Sequence, residues 1–206
     1  MNVGTVRRET LRMMGVTNGE ILENLDLVEL YQNPQYACYL TGLEASVNRA
    51  LARMRALGAL RPSSTTLAAP VVTGTVATYD LTAVERLDEV LELWEKTEDG
   101  YAAHPYRREG NDIVVPFYSS EAEYVLTYRE TLELLEPMCA DETELGVPSD
   151  LAVLIPYFVK SELTEEEDAV LAKRARDYFE QGVKASVTSE ENDMPRLRCT
   201  YRWEEL

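Results

Sequence analysis

Histidine is nearly missing from this chain: His104 is the only one among 206 residues. A Ser-His-Asp or Cys-His mechanism would have to use it, and its surroundings, YAAHPYRREG, hold neither a GxSxG elbow nor a cysteine box. It reads as an exposed sheet or loop histidine ahead of Pro105. Cysteine is scarce too. Cys38, Cys139 and Cys199 are odd in number, far apart and without CxxC spacing, which suits reduced thiols and excludes a disulfide frame or a zinc knot. Glycine-rich phosphate loops are absent, since neither GxxxxGK[ST] nor GxGxxG occurs. No apolar run approaches the roughly eighteen residues of a membrane span. The opening stretch MNVGTVRRETLRMMG lacks the apolar region and small-residue cleavage site of a secretory signal, so the expected place of folding is the cytoplasm. Basic residues are outnumbered: 20 Lys and Arg against 37 Asp and Glu leave a net charge of −17. Such a field repels phosphate backbones and anionic membranes, which argues against sequence-specific nucleic-acid binding. It leaves open a conduit over which DNA passes without being gripped.

What is present is ordinary globular material, with 45% hydrophobic and 28% charged residues, enough in one chain of this length to bury a substantial core. NVGTVRRETLRMMG reads as a short amphipathic helix closing on Gly15. From Pro34 to Ala59, Tyr36, Leu40, Leu43, Val47, Leu51 and Met54 recur at helical steps, with Glu44, Asn48, Arg49, Arg53 and Arg55 on the remaining faces. The spacing predicts one long helix, stopped by Gly58 and Pro62.

Between about Thr65 and Glu130 the grammar changes to β-branched and aromatic residues with frequent turns. VVTGTVATY reads as a strand. LTAVERLDEVLELWEKTEDG fits a helical face or a strand, and a single helical turn followed by a strand is preferred. YRREGNDIVVPFY places a Gly-Asn turn between extended arms, and EYVLTYRE alternates as a strand does. The tyrosines of this region, Tyr101, Tyr106, Tyr118, Tyr124 and Tyr128, suit cross-strand pairing or a protein interface better than base stacking on so acidic a chain.

Helical patterning returns after CADETELGVPSD. Ser149 is placed to cap a helix carrying Leu151, Leu154, Ile155 and Phe158 on one side, which Pro156 should bend by leaving the Ala152 carbonyl without its donor. A second helix follows, with Thr164 and Glu167 as a capping box, Glu165, Glu166 and Asp168 crowded at its start, and Ala172, Ala175, Phe179 and Val183 as its buried stripe. A carboxylate or metal site at Glu162, Glu166 and Asp168 would need a histidine, a cysteine or further converging acids, so capping is the preferred reading. The two helices form a hairpin held by Phe158, Thr164, Glu167 and Phe179. The closing segment VTSEENDMPRLRCTYRWEEL suits a disordered tail and a docking arm equally; in the second case Leu197, Tyr201 and Trp203 are its anchors.

The expected fold class is therefore α+β: mainly a helical bundle of about four to five helices with a small inserted antiparallel sheet. Residues 1–186 would be one domain, its helical body at 1–62 and 148–186 and its β-rich insertion at 65–132, with 187–206 as a C-terminal extension. No catalytic, cofactor-binding or metal-ligating residue is assigned.

The order of features resembles one family. A helix pair, TYDLTAVERLDEV leading into strands, GNDIVVP, EYVLTYRE and the closing LAVLIPYFVKSELTEEEDAVLAKRARDYFEQ are similar to the head-tail connector, or adaptor, proteins of tailed bacteriophages and prophages. The resemblance implies a non-enzymatic virion component, made in the bacterial cytoplasm, whose copies form a ring under the portal around the DNA passage and which is a ring subunit in the virion or a monomer in isolation. It implies the portal protein and further head-tail or tail completion proteins as partners, with 187–206 as the arm. Two other classes remain: an acidic protein-binding module that mimics DNA charge, and an enzyme with a site assembled from scattered carboxylates.

Overall fold

The computed structural model describes residues 1–16, 32–98 and 100–193. Contacts divide the chain into two compact units, one built from residues 1–60 and 132–193 and the other from Arg61–Thr131.

The first unit is helical. Helix α1 (Val3–Met13) starts where the Asn2 side chain accepts from Thr5 N at 3.0 Å and closes before Gly15, which takes φ 91°. The expected long helix is two: α2 (Pro34–Leu40) and α3 (Leu43–Ala56), separated by Thr41 and Gly42. Gly42 at φ 76° makes the break, because a left-handed residue cannot continue an α-helix. The predicted apolar stripe survives the break, since Tyr36, Leu40, Leu43, Val47, Leu51 and Met54 are all buried. Glu44, expected on an outer face, is buried as well.

After the second unit the chain returns through an irregular stretch to α4 (Ser149–Ala152), α5 (Ile155–Leu163) and α6 (Ala169–Asp193). The N-cap of α4 is Pro148, with no side-chain capping bond, so Ser149 does not cap. Pro156 does not bend a continuous helix either. It stands in the first turn of α5, where its missing N–H costs nothing, and the chain turns at Val153 and Leu154 instead. Helix α6 runs past the boundary drawn at residue 186, and Val187 packs against the helical core. That core joins Val3, Val6 and Leu11 to Val47, Met54, Ile155, Phe158, Phe179 and Val183.

The second unit overturns the expected fold class. Its strands form two four-stranded antiparallel sheets, far more than a small insertion in a helical bundle. The strands are β1 (Ser63–Thr66), β2 (Val71–Thr73), β3 (Val76–Asp80), β4 (Leu87–Thr97), β5 (Gly100–Ala103), β6 (Arg107–Glu109), β7 (Asp112–Val115) and β8 (Tyr124–Glu130), with a single helical turn at Leu81–Ala83 before β4. Their orders are β1-β8-β4-β5 and β2-β3-β7-β6. Alternate residues of both sheets bury one shared core of Ala77, Tyr79, Leu93, Ile113, Val115, Tyr124, Leu126 and Tyr128, as in a β-sandwich. The extra strands come from segments without apolar alternation. Ser63–Thr66 pairs with β8, where Ser63 Oγ also donates to Glu130 Oε1 at 2.5 Å, and Gly100–Ala103 pairs with β4, so hydrogen bonding to the neighbouring strand recruits them. VVTGTVATY, read as one strand, is a hairpin turning at Gly74, φ 64°.

Candidate functional site

The hairpin of α5 and α6 is the site the sequence singled out. Phe158 and Phe179 meet there edge to face, with ring centroids 5.0 Å apart, both buried. The Arg176 guanidinium lies 4.4 Å from the Phe158 centroid, and its Nε donates to Ser161 Oγ at 3.0 Å. Close approach also depends on Gly182, where an added Cβ would meet Leu154 Cδ2 at 2.7 Å.

Three acids of the hairpin, Asp168, Glu162 and Glu180, have structural tasks, while Glu165, Glu166 and Glu167 are exposed. Asp168 Oδ1 accepts from Val170 N at 3.0 Å and Leu171 N at 2.9 Å and is the true cap of α6. The predicted Thr164–Glu167 capping box does not form: Thr164 Oγ1 donates back to Lys160 O at 2.9 Å, closing α5, and Glu167 is exposed. Both residues lie in the loop one turn too early to serve α6. Glu162 is clasped by Arg49 of α3, whose Nε and Nη2 donate at 2.9 and 2.8 Å. Burial works to raise the Glu162 pKa, but hydrogen bonds from Arg49 and Ser46 outweigh it and hold the carboxyl below its ordinary range. Glu180 accepts from Arg53 Nε at 3.0 Å. Glu162, Glu166 and Asp168 do not converge, and among the described residues no group of three or more His, Cys, Asp or Glu is arranged to hold a metal ion.

Part of α6 stays outside. Val170, Leu171 and Tyr178 are exposed, as is Val153 ahead of α5, and Tyr178 is tilted against Tyr157 with centroids 4.2 Å apart.

Sequence reasoning missed a buried ion cluster. Arg7 of α1, 1% exposed, donates through Nη2 to Glu44 Oε1 at 2.6 Å and to Cys139 O at 2.8 Å, and through Nη1 to Asp141. Burial alone would lower the Arg7 pKa; its bonds to Glu44 and Asp141 reverse that and raise it. Partners at sequence separations of 37 and 134 leave no local signal. Beside Glu44 lies a groove of about 280 Å³ lined by Thr41, Gly42, Ala45, Asn48, Leu135 and Met138 among others. Its walls are mostly apolar, and among the described residues its polar groups are engaged elsewhere: Thr41 Oγ1 donates to Ala37 O, Glu44 accepts from Arg7, and the Asn48 amide is spent on the backbone of Leu135.

His104 is not exposed as expected. Its side chain is 9% exposed, Nδ1 lies 3.0 Å from Glu95 Oε2, Nε2 lies 2.8 Å from Pro116 O, and the ring meets Tyr124 edge-on at 5.1 Å. Both ring nitrogens are engaged in tying the sandwich together. Of the tyrosines, Tyr124 and Tyr128 are buried, Tyr118 stacks on Tyr124 at 5.9 Å, and Tyr106 Oη donates to Leu91 O at 3.1 Å. Tyr79, unremarked in the sequence, is pushed up to about 12 by burial, assisted by Tyr118 and Tyr124.

Leu197, Tyr201, Trp203 and Cys199 lie outside the described residues. No helix among the described residues is long and apolar enough to cross a membrane. The chain matches no protein-family model and no curated protein.

Proposed function

We propose that the chain is a non-enzymatic assembly subunit of a virion, a head-tail connector whose copies form a ring between the portal and the tail around the DNA passage. The observation that carries this reading is the α5–α6 hairpin. Asp168 is occupied in capping α6 and Glu162 and Glu180 in ion pairs to α3, while Val170, Leu171 and Tyr178 of α6 are exposed. Groups tied up in this way fix geometry and are poorly placed to turn over a substrate, whereas exposed apolar side chains suit contact with protein. The order of sequence features that resembles the connector family supplies the identity of the assembly. The net charge of −17 supports a wall past which DNA slides without sticking. In this reading the partners are the portal protein and tail completion proteins, and Leu197, Tyr201 and Trp203 anchor the arm.

Co-sedimentation with the portal protein of the same virus or prophage tests it. The expected result is migration of this chain with the portal assembly. A chain that stays at the top of the gradient, and instead competes with DNA for basic proteins, would replace the proposal with the DNA-mimic reading.

A further inference from the structure

His104 stands where the two sheets are joined. The segment 104–106 carries the chain from β5 of the first sheet to β6 of the second, and residues 116–123 carry it back from β7 to β8. His104 N donates to Leu93 O of β4 at 2.8 Å, which fixes its backbone on the first sheet, and its side chain is 9% exposed. Nε2 lies 2.8 Å from Pro116 O, at the start of the return crossing, and Nδ1 lies 3.0 Å from Glu95 Oε2. Glu95 pairs in register with Tyr124 of β8, as Leu93 does with Leu126, so this acid stands on the core side of β4.

Two acceptors face this ring. A backbone carbonyl has no proton to give and neither has an ionised carboxylate, so both bonds form only when each ring nitrogen carries a hydrogen. A neutral imidazole has one. With it, a lone pair points at an oxygen 2.8 or 3.0 Å away in a place that water scarcely reaches, and one bond becomes a repulsion. The bridge therefore needs one proton more than a neutral imidazole beside a carboxylate holds. That count is the same whether the proton resides on the ring or on Glu95, and it comes from solvent. The other titratable groups packed around the ring are tyrosines: Tyr124 meets it edge-on at 5.1 Å and accepts from Ser119 N through Oη, with Tyr118 and Tyr79 packed on Tyr124 beyond. Lys96, next to Glu95 in the chain, is paired with Glu123, and among the described residues no Lys or Arg pairs with Glu95.

Phe117 is what the bridge holds. It is 77% exposed at φ 55°, a left-handed conformation that a large aromatic keeps only when its surroundings impose it. They impose it from both sides: the Pro116 carbonyl is tied to His104, and Tyr118 N donates to Thr75 O of the β2–β3 turn at 2.8 Å. We infer that His104 is a proton-operated latch between the two sheets. With the extra proton it ties Glu95 to Pro116 and holds Phe117 in its exposed pose; loss of that proton to solvent releases the turn from Pro116 to Tyr118. Histidine changes charge between about pH 5 and 8, so the latch is closed at the acid end of that range and open at the alkaline end.

Amide hydrogen exchange of the full chain, followed by NMR at about pH 5.5 and about pH 8.5 and corrected for the intrinsic pH dependence of exchange, tests the latch. The probe is the Tyr118 amide. The Leu81 amide, which donates to Asn111 O at the other end of β3, is the control. The expected result is that Tyr118 protection falls about tenfold or more at the higher pH while Leu81 protection holds, because a charge-assisted bond is lost at one place only. Glu95→Gln should keep Tyr118 protected at both pH values, since an amide can donate to Nδ1 where a carboxylate cannot. His104→Phe should leave it weakly protected at both, with circular dichroism confirming that each variant is folded. Three outcomes overturn the latch: wild-type protection that does not change with pH, an equal fall at Leu81, or a Glu95→Gln variant that loses protection as the wild type does. Glu95→Gln keeps the side chain's length and shape, so it decides the matter even where His104→Phe fails to fold.

Discussion

Replacing Phe179 with alanine should destabilise the helical unit more than any change on its surface. Phe179 is fully buried and meets Phe158 edge to face at 5.0 Å, so truncation forfeits the transfer of a ring from water and leaves a cavity between α5 and α6. Buried Phe→Ala changes cost about 3–5 kcal/mol, and the lost aromatic pair is part of that sum. With a urea dependence of about 2 kcal/mol/M, the midpoint of unfolding should fall by about 1.5–2.5 M, followed by helical circular dichroism at 222 nm. Two controls set the scale. Phe179→Leu keeps most of the volume and should cost about 1–1.5 kcal/mol. Tyr178→Ala, at an exposed position of α6, should stay below about 1.5 kcal/mol, the value of an aromatic pair alone. A Phe179→Ala loss under about 1 kcal/mol, or one no larger than that of Tyr178→Ala, would refute the hairpin as the packed centre of this unit.

Three further outcomes follow from the same geometry. Asp168→Ala should cost about 1 kcal/mol in thermal unfolding while Glu167→Ala stays within about 0.5 kcal/mol, and the reverse order would restore the capping box read from the sequence. The depressed Glu162 carboxyl contributes stability that is present above its unfolded value of about 4.3 and is lost as pH falls through the folded value. Glu162→Gln should flatten the acid side of the stability profile by no more than about 1 kcal/mol, because Arg49 is half exposed, and an unchanged profile would contradict the pairing. Tyr79, raised to about 12, contributes stability that is complete below the unfolded value of about 10 and is lost as pH rises through the folded one. Tyr79→Phe should remove most of that alkaline loss, measured by unfolding between about pH 9 and 12, and equal losses in both proteins would count against burial as the cause.

The sequence made the interior of the helices legible more readily than their ends. Tyr36, Leu43, Val47 and Met54 announce their buried face because packing rewards every fourth residue, and that signal outlasts the break at Gly42. Caps depend on a balance of about 1 kcal/mol between neighbouring side chains, so the capping box expected at Thr164 and Glu167 gives way to a cap at Asp168. Strands β7 and β8 were readable from alternation. Strand β6 was readable with β7 from the Gly-Asn turn between them, whereas β1 and β5 were not, because Ser63–Thr66 and Gly100–Ala103 owe their conformation to the strand beside them. The Arg7 cluster and the His104 bridge join residues whose chemistry is visible and whose proximity is not. Phe158 and Phe179 sit on helical stripes legible in the sequence, and both are buried where α5 and α6 pack.

Negative-stain electron microscopy of the chain mixed with its portal protein tests the central claim most directly. The account predicts an additional closed ring, coaxial with the portal and leaving a central channel open. Portal particles with no added density in the presence of excess folded chain would contradict it.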